Sequence, residues 1–348
     1  MPLLVARVVT TELSPLLALL ALLWLPVSLA ALRGNRRLQA LTGAVLLAAA
    51  ALSLRPLAQY SGTATRAFAQ VGGPREALSP AAMLRGEPDA DGIREREIAY
   101  RAADGSPLAM RLFSAPVPGP RPTVVAIYGG AWRSGEPSQG AGLNRELASR
   151  GFTVVAIDYR HAPRFQHPAQ LNDVRGSLAL LRDSSASWGI DTARIALLGR
   201  SAGGHLAELT AFTADRGAVR AVIAIYAPFD LVQGYVDLPH PDPVDARAVL
   251  RGFLGGAPAA EPVRYRDASP SARVRPGLPP VLLLYGGADH LVKPSFNRDA
   301  AAAFRAAGGR VVQVELPWAE HGFDMVPGGL GAQLATQVIV RFLEGALR

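Results

Sequence analysis

The sequence predicts an α/β protein of three layers around a mostly parallel sheet, preceded by two transmembrane helices. Three observations carry this: two long uncharged runs near the N-terminus, six short apolar runs further on, and helical stretches alternating with those runs. Strands covered on both faces read as near-continuous Val, Ile, Leu and Ala, and the helices between them supply the outer layers. Hydrophobic residues make up 49% of the chain and charged ones 18%. Much of the apolar excess lies in the first sixty residues, so the remainder has room for one large domain.

The N-terminal runs extend from about Ser14 to Leu32 and from about Leu38 to Leu57. Each is close to the ~20 residues a helix needs to cross a bilayer. Arg55 is the one charge in them, close enough to an end to snorkel. A two-helix membrane hairpin over residues 1–60 follows as the expectation. A cleaved signal peptide is the competing one, with Ser28-Leu29-Ala30 as small residues at a cleavage point. The second apolar run favours the hairpin. Arg33, Arg36 and Arg37 lie in or beside the short connection; the positive-inside rule keeps them cytoplasmic and turns the rest of the chain to the outer, periplasmic side of the cell membrane. Residues 61–93, rich in Ala, Gly, Pro and polar side chains, are expected to be a linker with one or two short helices, Ser79-Pro80 resembling a helix cap.

The formal net charge is +8, with Lys293 the single lysine. Such a balance raises nucleic-acid binding. The arginines are scattered and no aromatic-interleaved basic stripe occurs, so no nucleic-acid partner is expected. The chain has no cysteine, which removes thiolate nucleophiles, disulfides and Cys-ligated metals.

From about Arg94 the expected strands are 96–101 and 108–113, joined by an Asp104-Gly105 turn, then 123–128, 153–158, 195–199, 221–226, 281–285 and 311–316. Helical stretches fall at 139–150, 168–188, 202–214, 295–307 and 331–347. Chemistry in such a sheet belongs at the carboxyl ends of its strands. Gly199-Arg200-Ser201-Ala202-Gly203 follows one strand and opens a helix, the setting in which G-x-S-x-G exposes a nucleophilic serine on a sharp turn. Tyr128-Gly129-Gly130-Ala131-Trp132 follows another; with the Ala202 N–H, the N–H groups of Gly129 and Gly130 are the expected oxyanion donors. Asp289 and His321 follow the last two strands, giving Ser201, Asp289 and His321 in the order acid-then-histidine after the serine. Asp324 is the rival acid, close to His321 in sequence, and His290 adjoins Asp289.

On these residues the chain resembles the α/β-hydrolase superfamily, in its carboxylesterase branch of hormone-sensitive-lipase-like and ferulic-acid-esterase-like enzymes. Further matches are Ile157-Asp158-Tyr159-Arg160, Ser201-Ala202-Gly203-Gly204-His205 and Ala319-Glu320-His321-Gly322-Phe323, and the resemblance runs over roughly residues 95–348. It implies an α/β-hydrolase catalytic domain over residues 94–348, with Ser201, Asp289 and His321 as triad and Gly129, Gly130 and Ala202 as oxyanion hole. It also implies cleavage of a small-molecule ester; the sequence carries no metal-ligand cluster or dinucleotide fingerprint, so no cofactor or metal is expected. The family usually has His-Gly-Gly where this chain has Tyr128-Gly129-Gly130. Tyr128 is therefore expected to assist the oxyanion, to line the substrate pocket or simply to pack. Trp132 and Phe323 are expected near the pocket mouth, and the Pro-rich stretch 238–244 as a lid or substrate wall. Asp158, Tyr159, Arg160 and Asp173 are expected to brace the loops. An acyltransferase, a peptidase and a non-catalytic membrane-displayed binding protein would share much of this pattern.

Overall fold

The apolar runs become helices and strands much where the periodicity puts them. A computed structural model describes residues 2–86 and 92–348. It opens with α1 (Pro2–Glu12), α2 (Ser14–Ala31), α3 (Arg36–Val71) and the short α4 (Pro80–Arg85). α2 and α3 pair as a helical hairpin whose apolar side chains are mostly exposed, Leu23 and Trp24 among them. Both helices are long and apolar enough to cross a membrane by length and composition, with mean hydropathy 2.0 and 1.7 over the windows concerned.

The linker expected from residue 61 starts only after Val71, because α3 does not stop with the apolar run. Its last turns carry Tyr60, Ala64 and Ala67, spaced to lie on one face, and all three are buried in the main core. This stripe is mostly alanine between Gln, Ser, Thr and Arg, so its polarity hides its helical period. Residues 87–91 of the expected linker, and residue 1, lie outside the described residues.

The strands are β1 (Arg94–Arg101), β2 (Pro107–Ser114), β3 (Arg121–Ile127), β4 (Thr153–Ile157), β5 (Ile190–Arg200), β6 (Ala221–Ile225), β7 (Val281–Gly286) and β8 (Val311–Leu316). They form a sheet in the order β1-β2-β4-β3-β5-β6-β7-β8, in which β2 runs antiparallel to both its neighbours and β4 through β8 are parallel. Every residue of β4, β6 and β7 is buried, as strands covered on both faces must be. The covering helices are α5 (Ala141–Ser149), α6 (Ala169–Asp183), α7 (Ser185–Trp188), α8 (Ala202–Thr213), α12 (Pro294–Ala306) and α13 (Leu330–Ala346). The insertion between β6 and β7 folds into α9 (Leu231–Val236), α10 (Ala246–Leu254) and α11 (Pro262–Ala268). This is the α/β-hydrolase fold.

The two edges of the sheet are guarded differently. β1 alternates charges, Arg94-Glu95-Arg96-Glu97, on a largely exposed strand. β8 is Val-Val-Gln-Val-Glu-Leu, and α3 lies along it. The Gln70 side-chain amide pairs with the Gln313 backbone, accepting its N–H at 3.0 Å and donating to its carbonyl at 2.9 Å.

Register decides where chemistry can gather. Ile127 pairs with Gly199, Arg200 with Ile225, Ile225 with Leu284, and Gly286 with Leu316. The loops that begin at Tyr128, Ser201, Tyr226, Gly287 and Pro317 therefore leave the sheet side by side along one edge.

Candidate active site

Ser201 sits at the turn between β5 and α8 with φ +50° and ψ −120°, a conformation a side-chain-bearing residue adopts only when its surroundings impose it. Close approach of neighbouring backbone imposes it here. A Cβ on Gly199 would lie 2.1 Å from the Gly203 carbonyl oxygen, and one on Gly203 would lie 2.2 Å from that of Ile127. Glycine at both positions lets strand, turn and helix pack without side chains between them, so the serine is thrust outward.

His321 Nε2 lies 3.1 Å from Ser201 Oγ, and His321 Nδ1 donates to Asp289 Oδ2 at 2.8 Å. Asp289 is held from behind: its Oδ1 accepts the backbone N–H groups of Leu291 and Val292, each at 2.8 Å. Only Oδ2 is left for the imidazole. Three residues predicted from different strand ends thus meet in one hydrogen-bonded line. Asp324 does not compete for His321. Its Oδ2 accepts from Arg200 Nε and its Oδ1 from the Tyr226 hydroxyl, both at 2.5 Å.

That pairing builds a floor beneath the site. The Arg200–Asp324 ion pair is almost wholly buried. Burial, reinforced by the neighbouring Asp324 charge, pushes the Tyr226 hydroxyl far above its ordinary range, so it stays protonated and donates. The Tyr226 ring packs against His321 with centroids 4.3 Å apart and edge-on to Phe323 at 5.5 Å. Phe323 is fully buried and supports the imidazole through Tyr226. It does not reach the pocket, contrary to expectation, because the turn after Gly322 points it into the core.

Of the three outcomes expected for Tyr128, packing is the one the structure shows; it neither lines the cavity nor assists an oxyanion. It is buried, stacked on Tyr159 at 4.4 Å, and its hydroxyl donates to Asp158 Oδ1 at 2.5 Å with His161 Nε2 at 2.9 Å. A phenol spent on Asp158 has no reach toward Ser201, and Tyr128 lies off the cavity. Arg160 meets Asp173 at 2.7 Å and Asp104 at 2.5 Å, which braces the same region.

Gly129 lies close to Ser201: a Cβ there would be 3.2 Å from that of the serine. Gly130 has φ +129°, and a Cβ on it would strike the Ser134 carbonyl oxygen at 2.0 Å, so this turn requires glycine. Gly129, Gly130 and Ala202 border the same cavity as Ser201 and His321. That cavity measures about 710 Å³ and is walled by Trp132, Leu250, Val292 and Phe296, with Pro239 and Val244 of the Pro-rich stretch. Trp132 is fixed by stacking on Phe253 at 4.3 Å and by donating from Nε1 to His205 Nδ1 at 3.2 Å. His205 is buried, which lowers its pKa to about 3, and its Nε2–H donates to the Ala268 carbonyl at 2.7 Å. The ring thus keeps the Nδ1 lone pair that Trp132 needs.

Sequence reasoning did not find the roles of Arg200, Tyr226, Asp324 and His205. Arg200 is visible only as the variable position of G-x-S-x-G, and nothing local links it to Asp324.

A family model described as BD-FAE matches residues 114–303, more than half the chain. The chain belongs to the BD-FAE family. The matched span includes Ser201 and Asp289 and ends before His321. This BD-FAE protein is 33% identical over 228 residues to the esterase LipC of Mycobacterium tuberculosis, covering 60% of this chain and 55% of LipC. It is 33% identical over 236 residues to the probable carboxylic ester hydrolase LipM of the same organism, covering 63% of this chain and 53% of LipM. The chain spans about half the length of the curated relatives it matches. Among solved structures it is similar to a bacterial heroin esterase, with a TM-score of 0.68 and 26% identity over 75% of this chain and 86% of that one.

Proposed function

We propose that this protein is a membrane-anchored serine hydrolase that cleaves carboxylic esters through an acyl-enzyme on Ser201. One observation carries the proposal: Ser201 Oγ, His321 and Asp289 lie in hydrogen-bonded sequence, at 3.1 and 2.8 Å, on the wall of a largely apolar cavity. Membership of the BD-FAE family and the esterase names of its relatives support it.

His321 Nε2 takes the proton from Ser201 as the hydroxyl attacks the ester carbonyl. Asp289 keeps the imidazole proton on Nδ1 so that Nε2 is free to accept. The N–H groups of Gly129, Gly130 and Ala202 hold the oxyanion. The proton on Nε2 then passes to the departing alcohol, and water, activated by the same histidine, releases the acid. Residues 1–60 supply the membrane hairpin through α2 and the first part of α3. The arginines around their connection, Arg33, Arg36 and Arg37, favour a catalytic domain, residues 94–348, on the outer side of the membrane.

A fluorophosphonate probe on the full chain in detergent tests the nucleophile: the native protein becomes labelled and Ser201→Ala does not. Labelling that persists in Ser201→Ala removes Ser201 from the mechanism. Hydrolysis of p-nitrophenyl esters of graded acyl length then reads the preference of the cavity. Protease added to intact cells tests orientation, and a fully protected C-terminal domain refutes the outward-facing arrangement.

A further inference from the structure

Glu320 precedes the histidine in sequence and is 1% exposed. Its Oε1 accepts the backbone N–H of His290 at 2.6 Å and that of His321 at 3.1 Å. Its Oε2 accepts from His290 Nδ1 at 2.7 Å and faces Arg7 Nε at 3.6 Å. Arg7 Nη1 also donates to His290 Nε2 at 3.2 Å, so that nitrogen must offer a lone pair and the ring carries its proton on Nδ1. One buried carboxylate thus bridges the residue after Asp289 and the backbone of His321. Arg7, from the helix ahead of the apolar hairpin, closes the arrangement from outside. α1 makes a second contact nearby: the Glu12 carboxyl group accepts the Gly331 N–H at the start of α13, the helix that follows the histidine loop.

A buried charge is costly to keep, and apolar packing would stabilise such a place as well or better. The Glu320 hydrogen bonds go to the two segments whose separation sets the 2.8 Å contact between Asp289 and His321. We propose that Glu320, held by Arg7, is a positioning residue for ester hydrolysis, fixing the acid-bearing and histidine-bearing segments against each other and making α1 part of the support of the active site. The proposal rests on the assignment of Ser201, His321 and Asp289 as the reacting line.

The experiment uses the full chain in detergent, with kcat normalised to the sites a fluorophosphonate can label, so that loss of folded protein does not count. Displacing His321 by a fraction of an ångström slows every step that needs it and leaves substrate binding alone. Glu320→Gln is expected to lower kcat by about tenfold or more, with KM within about twofold, and to slow the labelling of Ser201 by a similar factor. Arg7 is half-exposed, so Arg7→Met should cost about threefold in kcat, with Arg7→Lys recovering most of it. Wild-type kcat and labelling rate in both Glu320→Gln and Arg7→Met overturn the proposal while leaving the reacting line standing. Labelling that survives Ser201→Ala overturns both together. Should Glu320→Gln fail to fold, Arg7→Met decides: unchanged kcat overturns the proposal, and a loss at constant KM that Lys rescues upholds it.

Discussion

Replacing Asp289 with asparagine changes one oxygen for an NH₂ group, and the backbone behind the residue decides which one. Oδ1 accepts two N–H groups, from Leu291 and Val292, while Oδ2 faces His321. In Asp289→Asn the amide oxygen stays on the two backbone donors. The opposite orientation sets NH₂ against two buried N–H groups, at about 1–3 kcal/mol each, so it holds at most about 3% of the molecules. The favoured orientation presents NH₂ to His321 Nδ1, which must then accept. The imidazole proton moves to Nε2, which under the proposed mechanism can then no longer take the proton from Ser201. Orientation alone costs about thirtyfold in kcat, and the wrong tautomer in serine hydrolases of this logic costs about 10⁴-fold, or about 5 kcal/mol of barrier. Stability should change by less than about 1 kcal/mol, because both backbone donors keep their acceptor. Steady-state hydrolysis of a p-nitrophenyl ester, with thermal denaturation alongside, measures both quantities. An Asp289→Asn protein within about tenfold of native kcat would refute the tautomer argument.

Two further outcomes follow from buried charges outside the reacting line. Arg200→Met leaves Asp324 buried with only the Tyr226 hydroxyl, at a cost of about 3–5 kcal/mol; the melting temperature should fall by roughly 6–20 °C, and the double variant with Asp324→Asn should recover part of that. Burial pushes the Glu12 carboxyl up to about 8 from its ordinary 4.5, against the opposing Gly331 N–H. The folded state therefore binds the Glu12 proton more tightly than the unfolded one, and this contribution is full below about pH 4.5 and lost as pH rises through about 8. Hydrogen exchange across residues 2–12, corrected for intrinsic rate, should accelerate between pH 6 and 9 in the native protein and lose that trend in Glu12→Gln. An unchanged pH trend in the variant would place its origin elsewhere.

The parts legible in the sequence are those with local signatures. Buried parallel strands announce themselves as runs such as Val-Leu-Leu-Leu-Tyr, and Gly199 to Gly203 encode a turn that only glycine can make. Asp289 and His321 stand out in the sequence because strand ends are few and their order along the chain is constrained, and the structure brings both to Ser201. What stayed hidden depends on partners far apart in sequence. Arg200 and Asp324 are 124 positions apart, and Arg7 and His290 are 283 apart. The core-facing end of α3 was hidden for another reason. Its buried stripe is built from alanines, which pack closely because they are small and so leave little hydrophobic signal. The role of Tyr128 stays open among three alternatives in the sequence, because its position in a motif says nothing about which way its hydroxyl points.

The cover that α3 gives to β8 bears on how the protein behaves when its N-terminal helices are removed. A fragment beginning at Arg94 keeps Ser201, Asp289 and His321, and by composition it is the more water-compatible part of the chain. It also bares Val311–Leu316, a short and largely apolar border strand with nothing paired along its outer side. Such a border is a template on which a second molecule can add its own strand. The last turns of α3 thus shield the edge of the domain that follows them, and a fragment that keeps them should self-associate less than one beginning at Arg94.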